Sequence, residues 1–129
     1  MIPSTHADIL EKKSFAHIAT LMPDGSPQVT PVWVDVQDGK VWVNSAKGRL
    51  KDKNMERDRR VAISATDPEN PYRSISIRGK VVEIRTEGAD AHIDKMAKKY
   101  MGQDKYPFRK PDEQRVIYVI EPEKVAVMG

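Results

Sequence analysis

The amino-acid sequence predicts a mainly β protein, a six-stranded antiparallel barrel formed by one domain over residues 1–129. Three observations support this prediction. Short segments alternate apolar and polar residues with the period of a strand, turn-forming residues join most of them, and no helix regularly separates the strands. The last observation argues against a parallel, doubly wound sheet, in which helices cover both faces.

The predicted elements are short and follow one another closely. Their bounds are helix 5–13, strand 15–22, strand 28–36, strand 41–45, helix 49–57, strand 61–66, strand 72–85, helix 86–101, strand 115–120 and a short last strand at 124–128. Pro23-Asp24-Gly25-Ser26 predicts a turn and Asp38-Gly39 predicts a hairpin. Residues 67–71 and 103–113, which contain prolines, are expected to form loops.

Five single residues predict caps or irregularities. Thr5 is the expected N-cap of the first helix, and Gly102 the C-cap of helix 86–101. Pro31 cannot donate a ladder hydrogen bond, so it predicts an edge, a bulge or an opening in its strand. The apolar positions change parity near Gly79, which predicts a bulge or a sharp bend. Pro122 is expected to interrupt the last strand.

Composition excludes several classes of function. The chain contains no cysteine, so disulfides, thiolate metal sites and a catalytic cysteine are impossible. No apolar run approaches the roughly 18 residues that span a bilayer, and the N-terminus lacks the pattern of a signal peptide. We therefore expect a cytoplasmic protein that does not bind membranes.

The charge of the chain is concentrated in one stretch. Residues 47–60 contain seven basic and three acidic residues, a net of +4, whereas the whole chain carries +3. Residues 44–48 lie between a predicted strand and the basic helix, and Arg49 and Lys51 stand at the start of that helix. Backbone N–H groups, the helix terminus and cationic side chains together make such a corner suitable for a phosphate. A solvated, solubilising helix and a nucleic-acid surface are the alternatives, although no aromatic residue is interleaved for base stacking.

The remaining candidates carry little chemistry. The histidines are scattered, so the sequence predicts no metal site and identifies no catalytic acid or base. His17 is expected to be partly buried and hydrogen-bonded, and His92 to be solvated. Trp33 and Trp42, on the two strands of the predicted hairpin, are expected either in the core or an interface, or as a wall for a flat ring.

Four sequence blocks resemble the pyridoxamine 5'-phosphate oxidase-like split β-barrel proteins, and especially the small branch that uses a flavin or the deazaflavin coenzyme F420. The blocks are TPVW at 30–33, VNSAKGRLKDKN at 43–54, RVAI at 60–63 and IRGKV at 77–81. The resemblance implies an FMN-binding type of split barrel and a homodimer with cofactor sites at its interface. It also implies these cofactor-binding residues: Thr30, Pro31, Val32, Trp33, Asn44, Ser45, Ala46, Lys47, Gly48, Arg49, Lys51, Asn54, Arg78 and Gly79.

The resemblance also indicates a function. Pyridoxamine phosphate oxidases have a longer C-terminal region with Trp and Arg positions, whereas this chain has no Trp after Trp42. Lys47, Lys53 and Arg57 suit the anionic tail of F420, so hydride transfer between reduced F420 and a small conjugated or cyclic substrate is the favoured hypothesis. The alternatives are an FMN-dependent oxidoreductase, a flavin-binding protein without turnover, and a nucleic-acid-binding barrel.

Overall fold

The computed structural model describes residues 1–129, and all strands belong to one antiparallel sheet. The elements are α1 (Ala7–Glu11), β1 (Ala16–Leu21), β2 (Pro27–Val32), β3 (Val34–Gln37), β4 (Lys40–Ala46), α2 (Leu50–Arg57), β5 (Arg60–Asp67), β6 (Asn70–Arg85), α3 (Ala89–Met101) and β7 (Arg115–Met128). The order of strands across the sheet is β2-β1-β5-β6-β7-β4-β3. The predicted mainly β, antiparallel fold is confirmed, although the sheet has seven strands and not the six predicted.

The barrel curves because one stretch of chain supplies both of its edges. β2 pairs with β1 at one end of the sheet, and β3 pairs with β4 at the other. Only Trp33 separates these two strands along the chain. The sheet must therefore curl until its edges meet at Trp33. The predicted single strand 28–36 is divided here, and the prediction of an edge at Pro31 is confirmed.

Helix α3 satisfies the backbone beside this break. The amide of Val34 donates to the Tyr100 hydroxyl at 3.1 Å, and that hydroxyl donates to the Ser14 carbonyl at 2.8 Å. The Lys99 ammonium donates to the carbonyl of Val34 at 2.7 Å and to that of Leu10 at 2.8 Å. Burial lowers the pKa of Lys99 to about 8. These contacts replace ladder hydrogen bonds that the chain loses where it changes edges.

Alternating side chains fill the barrel with aliphatic residues. Eighteen buried side chains form the main core, which includes Ile18, Ile63, Ile77 and the fully buried Tyr118. Ile9 and Leu10 of α1 and Met55 of α2 join the same core. Burial of this apolar surface is the main force that holds the short helices against the sheet.

Two predicted irregularities lie opposite each other. The register of β6 against β7 shifts between Arg78 and Gly79, which confirms the predicted bulge, and Gly79 faces Pro122. The predicted interruption at Pro122 is wrong, since β7 continues from Arg115 to Met128. Proline is tolerated inside a sheet where a bulge removes the partner that its missing N–H would need. The predicted strands 115–120 and 124–128 are therefore one strand.

Several element ends differ from the predictions. His6, not Thr5, is the N-cap of α1, and Gly88 is the N-cap of α3. The predicted loop 67–71 is a tight connection, because β6 begins at Asn70. Gly102 ends α3 with a φ of 71°, so the predicted C-cap is confirmed.

Replacing Gly79 by alanine should destabilise the barrel. A Cβ atom at this position would lie 2.2 Å from the backbone oxygen of Glu121, and backbone moves less easily than a side chain. We expect Gly79→Ala to lower the free energy of unfolding by about 1–3 kcal/mol in urea denaturation. Glu83→Ala, an exposed site on the same strand, is the control, with an expected change within about 0.5 kcal/mol. Equal stability of both variants would contradict the close approach.

Candidate functional site

A cleft of about 310 Å³ opens where β2 passes into β3. Aromatic, aliphatic and cationic side chains share its lining, a composition common in sites for small organic ligands. The lining residues are Phe15, Pro31, Val32, Trp33, Asn44, Arg49, Lys51, Ile93, Tyr106, Phe108 and Arg115.

Three cations converge on one side of the cleft. Arg49 precedes α2 and Lys51 lies in its first turn, while Arg115 begins β7. Glu113 is the acid near them: it pairs with Arg115 and lies 3.9 Å from an Arg49 nitrogen. The cluster therefore holds three positive charges against one negative charge.

Lys51 has no partner within the chain. Its ammonium forms no ion pair and no hydrogen bond, in contrast to Lys47, which pairs with Glu56. Burial and the neighbouring Arg49 and Arg115 hold the pKa of Lys51 below its usual value. A half-buried cation with no counter-charge is what an anionic ligand would neutralise.

The corner before α2 is held by a carboxylate that reaches back from the helix. Gly48 has a φ of +91°, a conformation in which other residues are strained, and its N–H donates to the Asp52 Oδ2 at 2.9 Å. The other oxygen of Asp52 accepts a short hydrogen bond from the buried Tyr118 hydroxyl. Burial and Asp52 raise the pKa of Tyr118 well above its usual range, so it remains the donor. Arg49 and Lys51 therefore project from a braced turn.

Aromatic rings form the opposite wall. Trp33 stacks on Tyr100 with ring centroids 5.1 Å apart and 6° between planes. Tyr106 meets Trp33 edge-on at 6.1 Å and Phe108 edge-on at 5.7 Å. The Arg115 guanidinium lies 5.0 Å from the centroid of the Tyr106 ring. The wall and the cationic side therefore meet at Tyr106.

The structure brings together six of the predicted site residues. Pro31, Val32, Trp33, Asn44, Arg49 and Lys51 line the cleft, although they come from five different elements or junctions. Trp42 is not among them; it packs against α3 and lies 5.5 Å from the His92 ring.

The other predicted site residues lie outside this lining. Ser45 and Ala46 are buried. The hydroxyls of Ser45 and Thr30 have no hydrogen-bond partner. Lys47 and Gly48 bond to acidic side chains of α2. Asn54 is buried and donates to the Thr20 hydroxyl at 3.0 Å. Arg78 and Gly79 line a second cavity of about 350 Å³ on the β1–β5–β6 side of the barrel.

Sequence reasoning missed five lining residues. Phe15 precedes β1, Ile93 lies on α3, Tyr106 and Phe108 belong to the loop after α3, and Arg115 begins β7. The two aromatics in a polar loop were a usable signal, because exposed loop aromatics commonly serve recognition. No local sequence pattern marks Arg115 as a site residue. It reaches the cleft because it pairs with Ala46 across β4 and β7.

Both histidine predictions are wrong. His17 is exposed, because its side chain points to the outer face of β1. His92 is buried rather than solvated, with 6% of its surface exposed. Its Nε2 atom lies 3.0 Å from an Asp35 oxygen, a contact that joins residues 57 positions apart and has no local sequence pattern.

Comparison with known proteins places the chain in a family. The family model named pyridoxamine 5'-phosphate oxidase matches residues 2–129. The chain therefore belongs to this family, as its sequence blocks predicted. No curated protein sequence matches the chain.

Solved structures share the split-barrel fold. A structure named "F420 Reductase" is 31% identical with a TM-score of 0.85, and the match covers 97% of this chain and 98% of that chain. A conserved hypothetical protein from Mycobacterium tuberculosis is 23% identical, with a TM-score of 0.76 and coverage of 99% and 84%. HupZ from Group A Streptococcus is 23% identical, with a TM-score of 0.68 and coverage of 98% and 94%. The last two similarities concern the fold alone.

No helix has the length and apolar character needed to cross a membrane. No three His, Asp or Glu side chains are grouped as they would be around a metal ion.

The hydrogen bond from Tyr118 to Asp52, which helps to hold the corner before α2, can be tested by substitution of Tyr118. Tyr118→Phe leaves the buried Asp52 carboxylate without its hydroxyl donor, so we expect the free energy of unfolding to fall by about 1.5–3 kcal/mol. Chemical denaturation gives this value. Tyr72→Phe, at a residue that is 80% exposed, should change stability by less than about 0.5 kcal/mol. Unchanged stability of Tyr118→Phe would show that Asp52 does not depend on this bond.

Proposed function

We propose that this protein is an oxidoreductase that uses coenzyme F420 and acts on a small conjugated or cyclic organic substrate. The observation that carries the proposal is the unpaired Lys51 ammonium beside Arg49 and Arg115 in a cleft with an aromatic wall. Membership of the family and the similarity to the structure named "F420 Reductase" support it.

The cationic side of the cleft suits a phosphate group. Arg49 offers a planar fork that matches two phosphate oxygens, and Lys51 adds a point charge from the first turn of α2. The N–H groups of a first helical turn have no intrahelical acceptors, and the helix terminus adds positive potential. These groups would hold the cofactor by its phosphate and leave its ring system toward the aromatic wall.

The chain's residues orient the reactants rather than supply acid or base. When bound, reduced F420 supplies the hydride, which is the chemistry of the cofactor. Trp33, Tyr106 and Phe108 would provide an apolar wall for flat rings, and Ile93 would exclude water from the same space. This division of roles agrees with the absence of a histidine among the lining residues.

The preference for F420 over FMN rests on the similarity to the structure named "F420 Reductase" more than on the charges of the basic helix. Lys47 pairs with Glu56, and Arg57 donates to the Leu21 carbonyl and the Asn54 amide, so both are already engaged. Of the three cations predicted to follow the F420 tail, Lys53 alone has no ion pair or side-chain hydrogen bond. FMN carries a phosphate too, so an FMN-dependent enzyme or a flavin-binding protein without turnover is the alternative.

We further propose that two copies of the chain complete the site. The outer faces of β1, β5 and β6 carry the small side chains of Ala19, Ala62, Ser64 and Ser76, so a second sheet could approach this part of the barrel closely. Phe15 lines the cleft yet is 70% exposed, so a partner subunit at this edge would cover it.

The phosphate site predicts a specific binding defect. The double variant Arg49→Ala/Lys51→Ala removes two charge-assisted contacts, so its affinity for F420 and for FMN should fall at least about 100-fold. Fluorescence titration with each cofactor measures this change. Lys53→Ala, two residues further along the same helix and outside the cleft lining, is the matched control and should lose less than about fivefold for FMN.

Three outcomes would separate the hypotheses. Wild-type affinity in the double variant would overturn the phosphate assignment. Tight FMN binding without F420 binding would favour the flavin alternative. Cofactor binding without oxidation of reduced F420 by any enone or cyclic acceptor would favour a binding protein.

The depressed pKa of Lys51 predicts the pH dependence of binding. An anion favours the charged ammonium, so affinity should be full at neutral pH and fall as pH rises through the lowered pKa of Lys51. In Lys51→Arg the guanidinium stays charged, and the alkaline loss should shift to higher pH. F420 titrations from pH 7 to 10 measure this. Superimposable profiles for the two proteins would exclude Lys51 as the titrating group.

The two-subunit site makes its own prediction. Sedimentation should give a dimer for the wild type, and Ser64→Arg, which places a long charged side chain on the proposed contact face, should give a monomer with weaker F420 binding. Lys53→Ala should remain a dimer. A monomeric wild type that binds F420 tightly would contradict the arrangement.

A further inference from the structure

A buried hydrogen-bond chain runs beneath α3, on the face of the sheet opposite the main core, and ends at the cleft. His92 Nε2 lies 3.0 Å from Asp35 Oδ2, and Asn44 Nδ2 lies 3.1 Å from His92 Nδ1. Arg115 Nε donates to Asn44 Oδ1 at 3.0 Å, and Arg115 also pairs with Glu113. Asn44 and Arg115 line the cleft, whereas Asp35 and His92 do not. The chain thus connects a titratable interior residue to a cleft cation.

The partners of Asn44 fix the orientation of its amide. The Ala89 carbonyl, 2.9 Å from Asn44 Nδ2, can only accept a hydrogen bond, and the Arg115 guanidinium can only donate one. The amide nitrogen must therefore face Ala89 and His92, and the amide oxygen must face Arg115. Consequently His92 Nδ1 accepts a hydrogen bond from Asn44 Nδ2–H, and the imidazole proton resides on Nε2, which donates a hydrogen bond to Asp35 Oδ2.

Asp35 is suited to hold that proton in place. Burial alone would raise its pKa, but hydrogen bonds from His92, Gln37 and Lys95 hold the pKa well below the usual value. Asp35 is therefore a carboxylate and accepts from Nε2–H. The other charged groups that face His92 are Lys95 on its own helix, Arg115 of β7 through Asn44, and Arg85 of β6 through the Trp42 ring.

We propose that His92 is a positioning residue whose neutral Nε2–H form orients Asn44 and thereby holds Arg115 in the anion-binding side of the cleft. The inference deepens the proposed function and rests on it for the identity of the ligand. A second proton on His92 would place Nδ1–H against the Asn44 NH₂ group. Rotating the amide to relieve this contact would lose the Ala89 bond and turn NH₂ toward Arg115.

The consequence is a cleft whose cationic side depends on the hydrogen-bond acceptor at His92 Nδ1. Without that acceptor, Asn44 loses one of the partners that hold its amide, so Arg115 loses a fixed Nε partner and the anion loses a fixed guanidinium. A side chain at position 92 that accepts a hydrogen bond should therefore preserve anion binding, and an apolar side chain should weaken it.

The tautomer can be tested without any cofactor. Long-range ¹H–¹⁵N NMR spectra of the imidazole rings at pH 8 should show one histidine with protonated Nε2 and unprotonated Nδ1, and this signal should vanish in His92→Gln. The Nδ1–H tautomer, or an imidazolium, for His92 at this pH would overturn the inference whatever the protein binds.

Binding measurements test whether His92 affects the affinity of the cleft for F420. His92→Leu offers Asn44 no acceptor, so its affinity for F420 at pH 8 should fall about tenfold. His92→Gln supplies an oxygen acceptor and an N–H donor, so it should keep the wild-type affinity. His6→Gln, at a histidine outside the cleft lining, is the matched control and should also bind F420 as the wild type does.

The outcomes distinguish this inference from the proposed function. Wild-type affinity for F420 in a folded His92→Leu variant would overturn the role of His92 and leave the proposed function standing. No binding of F420 or FMN by the wild type would overturn the proposed function, while the NMR experiment would still decide the tautomer. Thermal unfolding of each variant identifies loss of folding, and Asn44→Leu then provides a second test because it removes the next residue of the hydrogen-bond chain and should also weaken F420 binding.

Discussion

The structure depends on one constraint: the chain crosses from one edge of its sheet to the other at Trp33. β2 and β3 belong to opposite edges, so the sheet must curl, and the backbone must find new partners where the ladder stops. Tyr100 and Lys99 of α3 provide those partners at Val34. The same break exposes Trp33 and opens the cleft beside it. The same break in the chain therefore both closes the barrel and forms the site.

Two cations of the cleft differ in whether they already have partners within the chain. Arg115 is buried but fully engaged, by Glu113, Asn44 and the Tyr106 ring, so its position is fixed before any ligand arrives. Lys51 is half-buried and has no partner, so its positive charge remains available to a bound anion. Burying a cation without a counter-charge costs stability. Such a cost is expected at a site that is completed by its ligand.

Features that depend on local sequence were predicted well. The period of apolar residues indicated the strands, Gly102 the end of α3, and the parity change the bulge at Gly79. The grouping of Arg49 and Lys51 after a small-residue corner indicated the cationic side of the cleft. Pro122 was misjudged, because whether a proline interrupts a strand depends on the strand opposite, and here that strand is bulged.

The sequence by itself determined the fold class, the family and the basic corner, because each follows from residues that are near one another along the chain. The tertiary structure alone decided that Arg115 and the loop aromatics join that corner, and that His92 lies buried against Asp35. Those contacts join residues far apart along the chain, 71 positions for Arg115 and Asn44 and 57 for His92 and Asp35. Their geometry follows from strand register and helix docking, which no local pattern records.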